Sequence, residues 1–440
     1  MSKQDENKEK VLDLIVVGGG ASGLMASGCA SELGKNVLLL EKNKKVGEKL
    51  RITGGGRCNV TNAEEDVRKF LSHYGKAEQF LYSSFSQFGV EDTFKFFEER
   101  GLPLVVQARK RAFPKTEKAE DVLKVMEKYA SSKNVEIRTY SPVTKVYKQD
   151  DRIVAVSSGK QKYFAKEFIF AVGSMSHPET GSTGDGFKWL KDLGHTVQKP
   201  TPNIVPISVD EKWVKALAGV SLSFMKITFF LDGKKSFSKT GKILFTHFGL
   251  SGPLILNSAS KVDDLLHGGV VTAEVDAYPH TDLGALDRKI VAVFDKNKNK
   301  AFKNIISEFA PEGTQKGLTL LFAEHLDINK KVHSISKEER KMFVRLLKFL
   351  PITVTGLMGF DRAVIADGGV SISEIDMKTL RSKKISNLFI TGDLLHINRP
   401  SGGFSLQLCW TTGYVAGSNV GVGVEVEEKN KEFKWSDHLK

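Results

Sequence analysis

Three glycines near the start of the chain have the spacing of a turn that binds the phosphates of a dinucleotide. Gly18, Gly20 and Gly23 form the pattern GxGxxG. In such a turn the first glycine permits the bend, the second lets a pyrophosphate approach the backbone, and the third lets helix and strand pack closely. Glu41 follows at the distance where an acid accepts hydrogen bonds from the adenosine ribose. An acid at this position disfavours a 2′-phosphate, which leaves FAD or NAD as the cofactor.

A second glycine-rich stretch, ITGGGRCNVTN, occupies residues 52–62. Each glycine inside a helix or strand costs about 1 kcal/mol relative to alanine, so Gly54, Gly55 and Gly56 indicate a loop. One interpretation is a flexible turn. The other is a loop whose backbone N–H groups lie against a flavin ring or a pyrophosphate, with Arg57 nearby as a cation. Flavoproteins often use such a loop and NAD enzymes do not need one, so this stretch favours FAD.

Two later apolar runs end in glycine turns that also favour FAD. EFIFAVGS spans residues 167–174 and NLFITGD spans residues 387–393. The carboxylate of Asp393 can hydrogen-bond the ribityl chain, and residues 399–417 are typical of a Gly-Gly loop that enters a helix. The N-terminus of that helix can stabilise negative charge on the flavin N1–C2=O edge when the ring is reduced. Each turn alone is compatible with an ordinary α/β connection, but together and in this order they predict FAD.

The predicted cofactor-binding residues lie mainly in these turns. They are Gly18, Gly20, Ala21, Ser22, Gly23, Glu41, Lys42, Lys49, Thr53, Gly54, Gly55, Gly56, Arg57, Cys58, Asn59, Val143, Ala171, Gly173, Gly392, Asp393, Gly402, Gly403, Phe404 and Ser405. No metal site is predicted, because Cys29, Cys58 and Cys409 are far apart in the chain and include no CxxC pair. This cysteine usage also excludes a disulfide scaffold and fits a reducing cytoplasm.

A flavin can pass a hydride to an electron-poor carbon, and an acid must then protonate the neighbouring atom. The candidate acids are Cys58, His247 and His396. Cys58 follows the glycine loop and can reach the ring, although a small buried thiol is the competing interpretation. His247, within THFGLSGP, either faces the flavin or only holds that turn, and the sequence does not separate the two roles. His396 can influence the flavin potential or an anionic substrate.

The elements that must position these residues follow from the apolar pattern. Residues 13–17 are a short run rich in Val and Ile, as a buried parallel strand should be. Residues 21–33 predict a helix of small residues, and Val37–Leu40 predicts a second strand. The glycine turn therefore lies between a strand and a helix, which is the context that the dinucleotide fingerprint requires.

The pattern changes between residues 199 and 350. SLSFMKITFFLDGKKSFSKTGKILFTH predicts β-strands, with Asp232 and Gly233 in a hairpin turn. Residues 283–309 and 337–350 predict helices, because their apolar residues recur at intervals of three and four. No second GxGxxG with its strand and acid is present. A nicotinamide would therefore dock transiently at the flavin rather than in a domain of its own.

The charge of the chain favours a polyanionic partner. Lys and Arg total 65 against 52 Asp and Glu, a formal net charge of +13, and structured RNA is the first candidate partner. Residues 108–118 and 295–303 are the two candidate basic patches. A solvated lysine-rich helix is the competing interpretation of 295–303. The chain starts without an apolar signal core and has no run of about 18 apolar residues, so we expect a cytoplasmic location and no membrane partner.

Several motifs resemble those of the YhiN/BaiN/RdsA family of bacterial flavoproteins. They are KLRITGGGRCNVTN, FPKTEKAEDVL, TGSTGDGFKWLKDLGH, FTHFGLSGP, VTGLMGFDRAVIADGGVS and LFITGDLL. The resemblance runs from residue 12 to residue 425 and implies NAD(P)H-linked redox chemistry on FAD. The activities that it implies are reduction of a conjugated C=C bond in steroid-like acids, amine oxidation, and reduction of uridine to dihydrouridine in ribosomal RNA.

The chain departs from that family pattern after the predicted ribityl carboxylate. The family pattern is similar to LDVDGPTGGYN, whereas this chain has LHINRPSGGFS. His396 and Asn398 replace two acids, and Arg399 replaces a glycine. Phe404 and Ser405 replace a tyrosine and an asparagine on the predicted flavin edge.

The fold class that we predict is α/β, a Rossmann-type FAD-binding domain interrupted by an inserted β-rich domain with a helical subdomain. This interrupted arrangement is what the family resemblance implies. The predicted boundaries are 1–198 for the first part of the FAD-binding domain, 199–282 for the inserted β-domain, 283–350 for the helical subdomain, 351–425 for the second part of the FAD-binding domain and 426–440 for a charged C-terminal tail.

Three functions fit these features. The first is FAD-dependent, NAD(P)H-linked reduction of uridine to dihydrouridine in ribosomal RNA, favoured by 23 Lys and Arg against 16 Asp and Glu between residues 199 and 350. The second is a flavin oxidoreductase of a small enone or amine, favoured by the altered loop 396–405. The third is a flavin-bearing RNA-binding factor without turnover. An oxidase that uses O2 is a further alternative.

Overall fold

The computed structural model describes residues 11–131 and 133–422 of the chain. Its strands are β1 (Leu12–Val17), β2 (Val37–Leu40), β3 (Thr61–Asn62), β4 (Leu104–Gln107), β5 (Arg111–Pro114), β6 (Val135–Arg138), β7 (Val143–Gln149), β8 (Arg152–Ser158), β9 (Gln161–Phe170), β10 (Val197–Asn203), β11 (Ile207–Val209), β12 (Ser221–Leu231), β13 (Lys234–Thr246), β14 (Gly249–Ser251), β15 (Val271–Asp276), β16 (Leu350–Leu357), β17 (Ile365–Val370) and β18 (Leu388–Ile390). Its helices are α1 (Ala21–Glu32), α2 (Glu48–Gly56), α3 (Val67–Ser72), α4 (Glu78–Gln87), α5 (Val90–Glu99), α6 (Ala119–Ala130), α7 (Asp185–Asp192), α8 (Lys212–Lys215), α9 (Pro253–Leu256), α10 (Ala259–Leu266), α11 (Leu283–Lys296), α12 (Ile306–Phe309), α13 (Gln315–Ala323), α14 (Lys337–Lys348) and α15 (Phe404–Ser418).

The chain divides into two compact units. Of the described residues, those from 11 to 201 and from 365 to 422 form the first, which we call the Rossmann unit. Residues 202–364 form the second, which we call the barrel unit. Residues 351–364, expected in the cofactor-binding domain, belong to the barrel unit because β16 is one of its strands. The predicted tail, 426–440, lies outside the described residues.

The main sheet of the Rossmann unit has the strand order β6-β2-β1-β9-β8-β7, and β18 pairs with the end of β9. Strands β6, β2, β1, β9 and β18 run parallel. Strands β7 and β8 form an antiparallel hairpin that continues from β9. The predicted α/β fold and the first two predicted strands are thereby confirmed.

Both faces of this sheet are covered by helices. Side chains of a strand point alternately to the two faces, and accordingly Leu14 and Val16 of β1 belong to one apolar cluster and Ile15 and Val17 to another. Helices α1 and α6 cover the first face, whereas α4 and α7 cover the second. Burial on both faces explains why β1 is a continuous apolar run in the sequence.

Helix α15 packs unusually close to α1 because glycines line their contact. A Cβ at Gly413 would lie 2.4 Å from the Ser22 carbonyl oxygen, and a Cβ at Gly417 would lie 2.6 Å from the Ala26 carbonyl oxygen. Residues with side chains would hold the two helices apart at these points. The two glycines therefore bring the chain around residue 400 to the helix that follows the nucleotide turn.

The barrel unit is built on a closed antiparallel barrel with the strand order β11-β14-β13-β12-β15-β16. The β12–β13 hairpin turns at Asp232 and Gly233, which have φ of 48° and 75°. Two positive φ angles are typical of a type I′ hairpin turn, and the predicted hairpin is confirmed. Helices α11 to α14 share one apolar core with the barrel strands, so the expected β-domain and helical subdomain form a single unit.

The helix predicted over residues 283–309 is interrupted. Helix α11 ends at Lys296 and α12 begins at Ile306. Between them, the Asn297 side chain donates to the carbonyl oxygen of Val293 and to the Glu308 carboxylate, both at 2.9 Å, and thereby ends α11. The interpretation of residues 295–303 as a solvated helix is therefore wrong for most of that stretch. Helix α13 was not predicted.

Candidate active site

The turn between β1 and α1 has the geometry that its glycines predict. Gly18 has a φ of +103°, and a Cβ there would lie 2.6 Å from the Ala171 carbonyl oxygen. A Cβ at Gly23 would lie 1.9 Å from the Gly18 carbonyl oxygen, so only glycine lets helix and strand pack this closely. Gly20 is the N-cap of α1, has no side-chain cap, and has no atom within 4 Å of its Cβ position. The first N–H groups of α1 are therefore open to a phosphate.

Glu41 lies beside this turn, directly after β2. Its Oε2 accepts a hydrogen bond from the Gly19 N–H at 2.8 Å, and its Oε1 accepts one from the Asn43 N–H at 2.7 Å. Burial raises the pKa of this carboxyl, and the backbone N–H groups act in the opposite direction. Each carboxylate oxygen has a second lone pair that can accept a hydroxyl. This geometry fits the adenosine ribose.

Two other residues predicted to bind the cofactor have protein partners for their side chains. The Lys42 ammonium donates to the Asp185 carboxylate at 2.8 Å. Val143 begins β7, pairs with Ser158 of β8, and packs its side chain in the apolar core. Only the backbone of Val143 can therefore meet a cofactor.

The glycine triplet lies at the end of α2, where helical geometry breaks. Thr53 has a ψ of 145°, and Gly54, Gly55 and Gly56 have φ of 59°, 69° and 84°. All three glycines are exposed, and no atom lies within 4 Å of a Cβ position at Gly55 or Gly56. The triplet therefore presents bare backbone, while residues 48–52 before it form a helical turn.

Cys58 is poorly suited to donate a proton to a substrate, which counts against its assignment as a candidate acid. The side chain is fully buried in an apolar cluster, and burial raises the pKa of the thiol to about 12. Its backbone has a φ of 59°, and its N–H donates to the Thr53 carbonyl oxygen at 3.0 Å. Cys58 thus closes the glycine loop through its backbone and fills space with its side chain.

Asn59 joins the glycine loop to the start of α15. Its amide nitrogen donates to the carbonyl oxygens of Ala112 and Thr61 at 3.1 and 3.0 Å, and its amide oxygen accepts from the Gly403 N–H at 2.9 Å. A Cβ at Gly403, which has a φ of +103°, would lie 2.3 Å from the Thr61 carbonyl carbon. The first turn of α15 has no acidic residue and no side-chain cap. Its partial positive charge is therefore not neutralised locally.

Phe404, the first residue of α15, is held by two neighbours that the sequence did not indicate. The Tyr74 hydroxyl donates to the Phe404 carbonyl oxygen at 2.9 Å. The exposed His73 ring stacks on the Phe404 ring at 4.5 Å between centroids. His73 Nδ1 lies 2.8 Å from the Lys69 carbonyl oxygen, so Nδ1 carries the proton in the neutral ring and Nε2 is the free nitrogen. In its protonated form His73 can donate a proton from Nε2, which makes it a further candidate acid. It directly follows the short helix α3, and no sequence pattern marks it.

Asp393 comes three residues after β18 and pairs with a buried arginine. The Arg399 guanidinium donates to the Asp393 carboxylate. It also donates to the Ile397 carbonyl oxygen at 2.7 Å and to the Ser405 hydroxyl at 3.0 Å, and its side chain is only 1% exposed. Arg399 stood out in the sequence as a departure from the family pattern, but its partner is visible only in the fold.

A second cation lies near the same carboxylate. The Lys49 ammonium donates to the Ser176 hydroxyl at 3.0 Å. Burial lowers the pKa of Lys49, and the charge of Asp393 acts in the opposite direction. One carboxylate thus lies near two cations. The excess of positive charge suits an anionic group of a bound ligand.

Three neighbouring parallel strands end in glycine turns at the same edge of the sheet. Gly18 follows β1, Gly173 lies in the turn after β9 and Gly392 in the turn after β18, with φ of 103°, 71° and 59°. Ser174, next to the second of these glycines, has a buried hydroxyl with no hydrogen-bond partner within the described residues. An orphaned buried hydroxyl and bare backbone at one sheet edge fit a bound dinucleotide.

The two predicted histidines lie in different units. His396 follows the turn after β18, and its Nε2 lies 3.5 Å from the Asp367 carboxylate. His247 lies in the barrel unit, exposed in the turn between β13 and β14, with its ring edge-on to Phe248 at 4.9 Å. The role of each in proton transfer stays a prediction.

The basic patch 108–118 contributes to a compact group of cations, which we call the arginine cluster and define as Arg57, Arg109 and Arg111. The guanidinium carbons of Arg57 and Arg111 lie 4.6 and 5.8 Å from the centre of the Phe113 ring. Burial lowers the pKa of Arg111, and the charges of Arg109 and Arg57 lower it further.

Two of the four lysines in the second basic patch, 295–303, form ion pairs. Lys298 lies 3.4 Å from the Asp295 carboxylate, and Lys300 lies 3.7 Å from the Glu308 carboxylate. Both pairs are largely exposed, where ion pairs contribute little to stability. This patch carries less unbalanced charge than the sequence suggested.

None of the helices within residues 11–131 and 133–422 combines the length and the apolar character needed to cross a bilayer. The same residues contain no group of three His, Cys, Asp or Glu side chains that could hold a metal ion.

Comparison with known proteins gives matches over nearly the full length of the chain. A family model described as "HI0933-like protein Rossmann domain" matches residues 12–419. The 3-dehydro-bile acid delta(4,6)-reductase of Clostridium scindens is 28% identical over 405 residues, which cover 91% of this chain and 97% of that protein. The ribosomal RNA dihydrouridine synthase of Haemophilus influenzae is 27% identical over 425 residues, which cover 96% of this chain and 99% of that protein.

Solved structures share the fold at low sequence identity. The 3-ketosteroid-delta4-(5alpha)-dehydrogenase of Rhodococcus jostii has a TM-score of 0.50 and 14% identity, and the match covers 95% of this chain and 99% of that one. The quinol fumarate reductase FrdA of Escherichia coli has a TM-score of 0.51 and 14% identity, with 93% of this chain and 70% of that one covered.

Proposed function

We propose that this chain, which belongs to the HI0933-like Rossmann family and is an FAD-dependent oxidoreductase, reduces uridine to dihydrouridine in ribosomal RNA. The electron donor in this proposal is NADH or NADPH. The observation that carries the flavin chemistry is the set of three glycine turns at the ends of β1, β9 and β18. The RNA substrate is supported by the named activity of the relative from Haemophilus influenzae and by the net charge of +13.

The chemistry requires a hydride, which carries two electrons, and a proton. The C5=C6 bond of uracil is conjugated with the C4 carbonyl, so hydride adds at C6 and the negative charge that develops toward O4 is quenched by a proton at C5. FAD, when bound and reduced, supplies the hydride. The two electrons come in turn from the nicotinamide, which leaves as its oxidised form.

In this proposal, some residues of the Rossmann unit bind the cofactor and others supply the proton. The turn of Gly18 to Gly23 holds the pyrophosphate, and Glu41 holds the adenosine ribose. The uncapped start of α15 stabilises negative charge on the flavin N1–C2=O edge. His396 and His73 are the acids that we propose to test as the source of the proton.

A second function is supported by a separate observation. The relative from Clostridium scindens is named as a reductase of a bile acid, and the loop 396–405 of this chain departs from the family pattern. A conjugated enone that carries a carboxylate is the substrate class in this alternative. The same hydride and proton additions would apply.

The experiment is a comparison of acceptors for the reduced enzyme. The purified protein is reduced under anaerobic conditions with NADH or NADPH, and unmodified ribosomal RNA transcribed in vitro or a 3-oxo-4-ene bile acid is added. Return of the oxidised flavin spectrum with RNA, together with a gain of two hydrogens in the uridine fraction by mass spectrometry, supports the proposal. Reoxidation by the bile acid alone supports the second function.

Two outcomes count against both functions. A protein that takes up no FAD would contradict the proposal that the turn of Gly18 to Gly23 binds this cofactor. A protein that binds FAD but is reoxidised by neither acceptor, while it still binds RNA, is a flavin-bearing RNA-binding factor.

A variant with His396→Gln or His73→Gln that is reduced normally but reoxidised slowly identifies the proton donor.

A further inference from the structure

The arginine cluster carries charge that the protein does not balance. Glu117 lies 3.6 Å from Arg57, and Lys110 of the same loop pairs with Glu64 at 2.9 Å. Within residues 11–131 and 133–422, Arg109 and Arg111 form no ion pair. Arg57 and Arg111 lie over the same aromatic ring, and their charges and that of Arg109 repel each other unless an anion joins them. The stability of the fold therefore does not explain why these three cations lie close together.

The loop that presents Arg109 is strained. Arg109 and Lys110 have φ of 62° and 56°, and neither residue is a glycine. The left-handed region costs about 1–2 kcal/mol for a residue with a side chain. Such strain persists where the surroundings fix it and is concentrated at ligand sites. Here Asn62 fixes it, because its amide donates to the Arg109 carbonyl oxygen at 3.2 Å.

The cluster lies between the two glycine loops that are predicted to meet the flavin. The Asn62 amide also donates to the Gly402 carbonyl oxygen at 3.1 Å, which ties the arginine loop to the loop before α15. On the other side, the Cβ position of Gly54 lies 3.6 Å from the Phe113 ring, over which Arg57 stacks. An anion held by the cluster would therefore lie close to the isoalloxazine.

We propose that Arg57, Arg109 and Arg111 form a binding site for a phosphodiester of the RNA substrate, next to the flavin. This inference rests on the proposed function. Guanidinium groups suit a phosphate because their N–H donors match its oxygens in pairs. A phosphate bound here anchors the backbone beside the reacting uridine and carries no sequence information itself.

The test uses the FAD-loaded full chain and a fluorescein-labelled oligouridylate. The variant Arg109→Gln/Arg111→Gln removes two charges from the site, and Arg109→Gln alone removes the exposed one with the least risk to folding. The matched control, Lys298→Gln/Lys300→Gln, removes two charges from the paired patch of the barrel unit. Dissociation constants are measured by fluorescence anisotropy across a range of salt concentrations.

The double arginine variant should bind the oligouridylate about tenfold more weakly or worse, since a hydrogen bond to a charged group is worth about 1.5–3 kcal/mol. The slope of log K against log salt should fall by about 0.7 for one lost phosphate contact on a single strand. The control variant should change both quantities less. An oligouridylate with neutral methylphosphonate linkages should bind wild type and variant alike.

Three results would overturn the inference. The first is a double arginine variant with the affinity and salt slope of the wild type, or a control that loses as much. The second is loss of FAD from the variant, which would assign the cluster to the cofactor. The third is a wild-type protein that does not act on RNA and reduces a bile acid instead. In that case the double arginine variant would reduce the bile acid more slowly but would reduce its methyl ester normally. Only the third result would also contradict RNA as the substrate in the proposed function.

Discussion

Replacing Arg399 by methionine tests whether the pair with Asp393 stabilises the Rossmann unit. Methionine retains much of the volume of the arginine stem but cannot donate to Asp393, to the Ile397 carbonyl oxygen or to the Ser405 hydroxyl. The carboxylate of Asp393 is then left largely buried, with its side chain 14% exposed. We expect the variant to fold less stably than the wild type.

The expected loss is set by the unpaired carboxylate. Removing one partner of a buried ion pair costs about 3–5 kcal/mol. Lys49 also attracts Asp393, so its charge offsets part of the loss and the lower end, about 3 kcal/mol, applies. A change of 1 kcal/mol shifts Tm by about 2–4 °C in a domain of this size class, which predicts a fall of about 6–12 °C.

The assay is thermal and urea unfolding of the apoprotein, so that differences in FAD binding do not add to the measured stability. The matched control is Arg399→Met/Asp393→Asn, which removes the carboxylate together with its guanidinium partner and leaves Lys49 as the remaining charge near position 393. We expect the double variant to recover a large part of the lost stability, because the cost lies mainly in the orphaned carboxylate. A single variant within 1 kcal/mol of the wild type, or a double variant that loses the sum of both single changes, would refute this reasoning.

Three further predictions concern the turn, the thiol and the arginine loop. Gly23→Ala should abolish FAD binding, because its Cβ would lie 1.9 Å from the Gly18 carbonyl oxygen; retention of the flavin spectrum after gel filtration would contradict it. Cys58→Ala should leave the reoxidation rate unchanged, and iodoacetamide at pH 8 should not label Cys58 in the native protein, because a buried thiol with a pKa of about 12 stays protonated. The bonds from Lys110 and Lys69 lower the pKa of Glu64 from 4.5 to about 2, so its contribution to stability is complete above pH 4.5 and is lost as the pH falls toward 2. Acid unfolding of Glu64→Gln should lack that part of the pH dependence, and an unchanged acid profile would show that the pairing contributes nothing.

The features that the sequence predicted well are local ones. The GxGxxG turn, the strands around it and the β12–β13 hairpin depend on residues within a few positions of each other, where backbone preferences act directly. The position of Glu41 beside the turn could be predicted because the length of one helix and one strand fixes its place relative to the turn. In each case the spacing along the chain determines the spacing in the fold.

The features that the sequence did not predict depend on contacts between distant residues. The arginine cluster forms because β3 and β5 pair, which brings Arg57 and Arg111 to the same aromatic ring. The end of α11 at Lys296 depends on Asn297 and on Glu308, which the apolar periodicity does not register. Residues 351–364 group with the barrel unit because β16 continues the barrel after α14, and nothing in the composition marks this return from helix to strand.

Substrate choice in this fold must come from side chains and not from the cofactor site. Two relatives that match this chain at 28% and 27% identity, both over nearly their full length, carry names with different substrates. Overall similarity therefore cannot choose between a steroid-like acid and RNA. The glycine turns bind through backbone atoms that any substrate would leave in place. The difference in substrate must therefore arise in two loops, at residues 108–111 and 396–405. In these loops the chain has charged and strained residues beside the glycine turns.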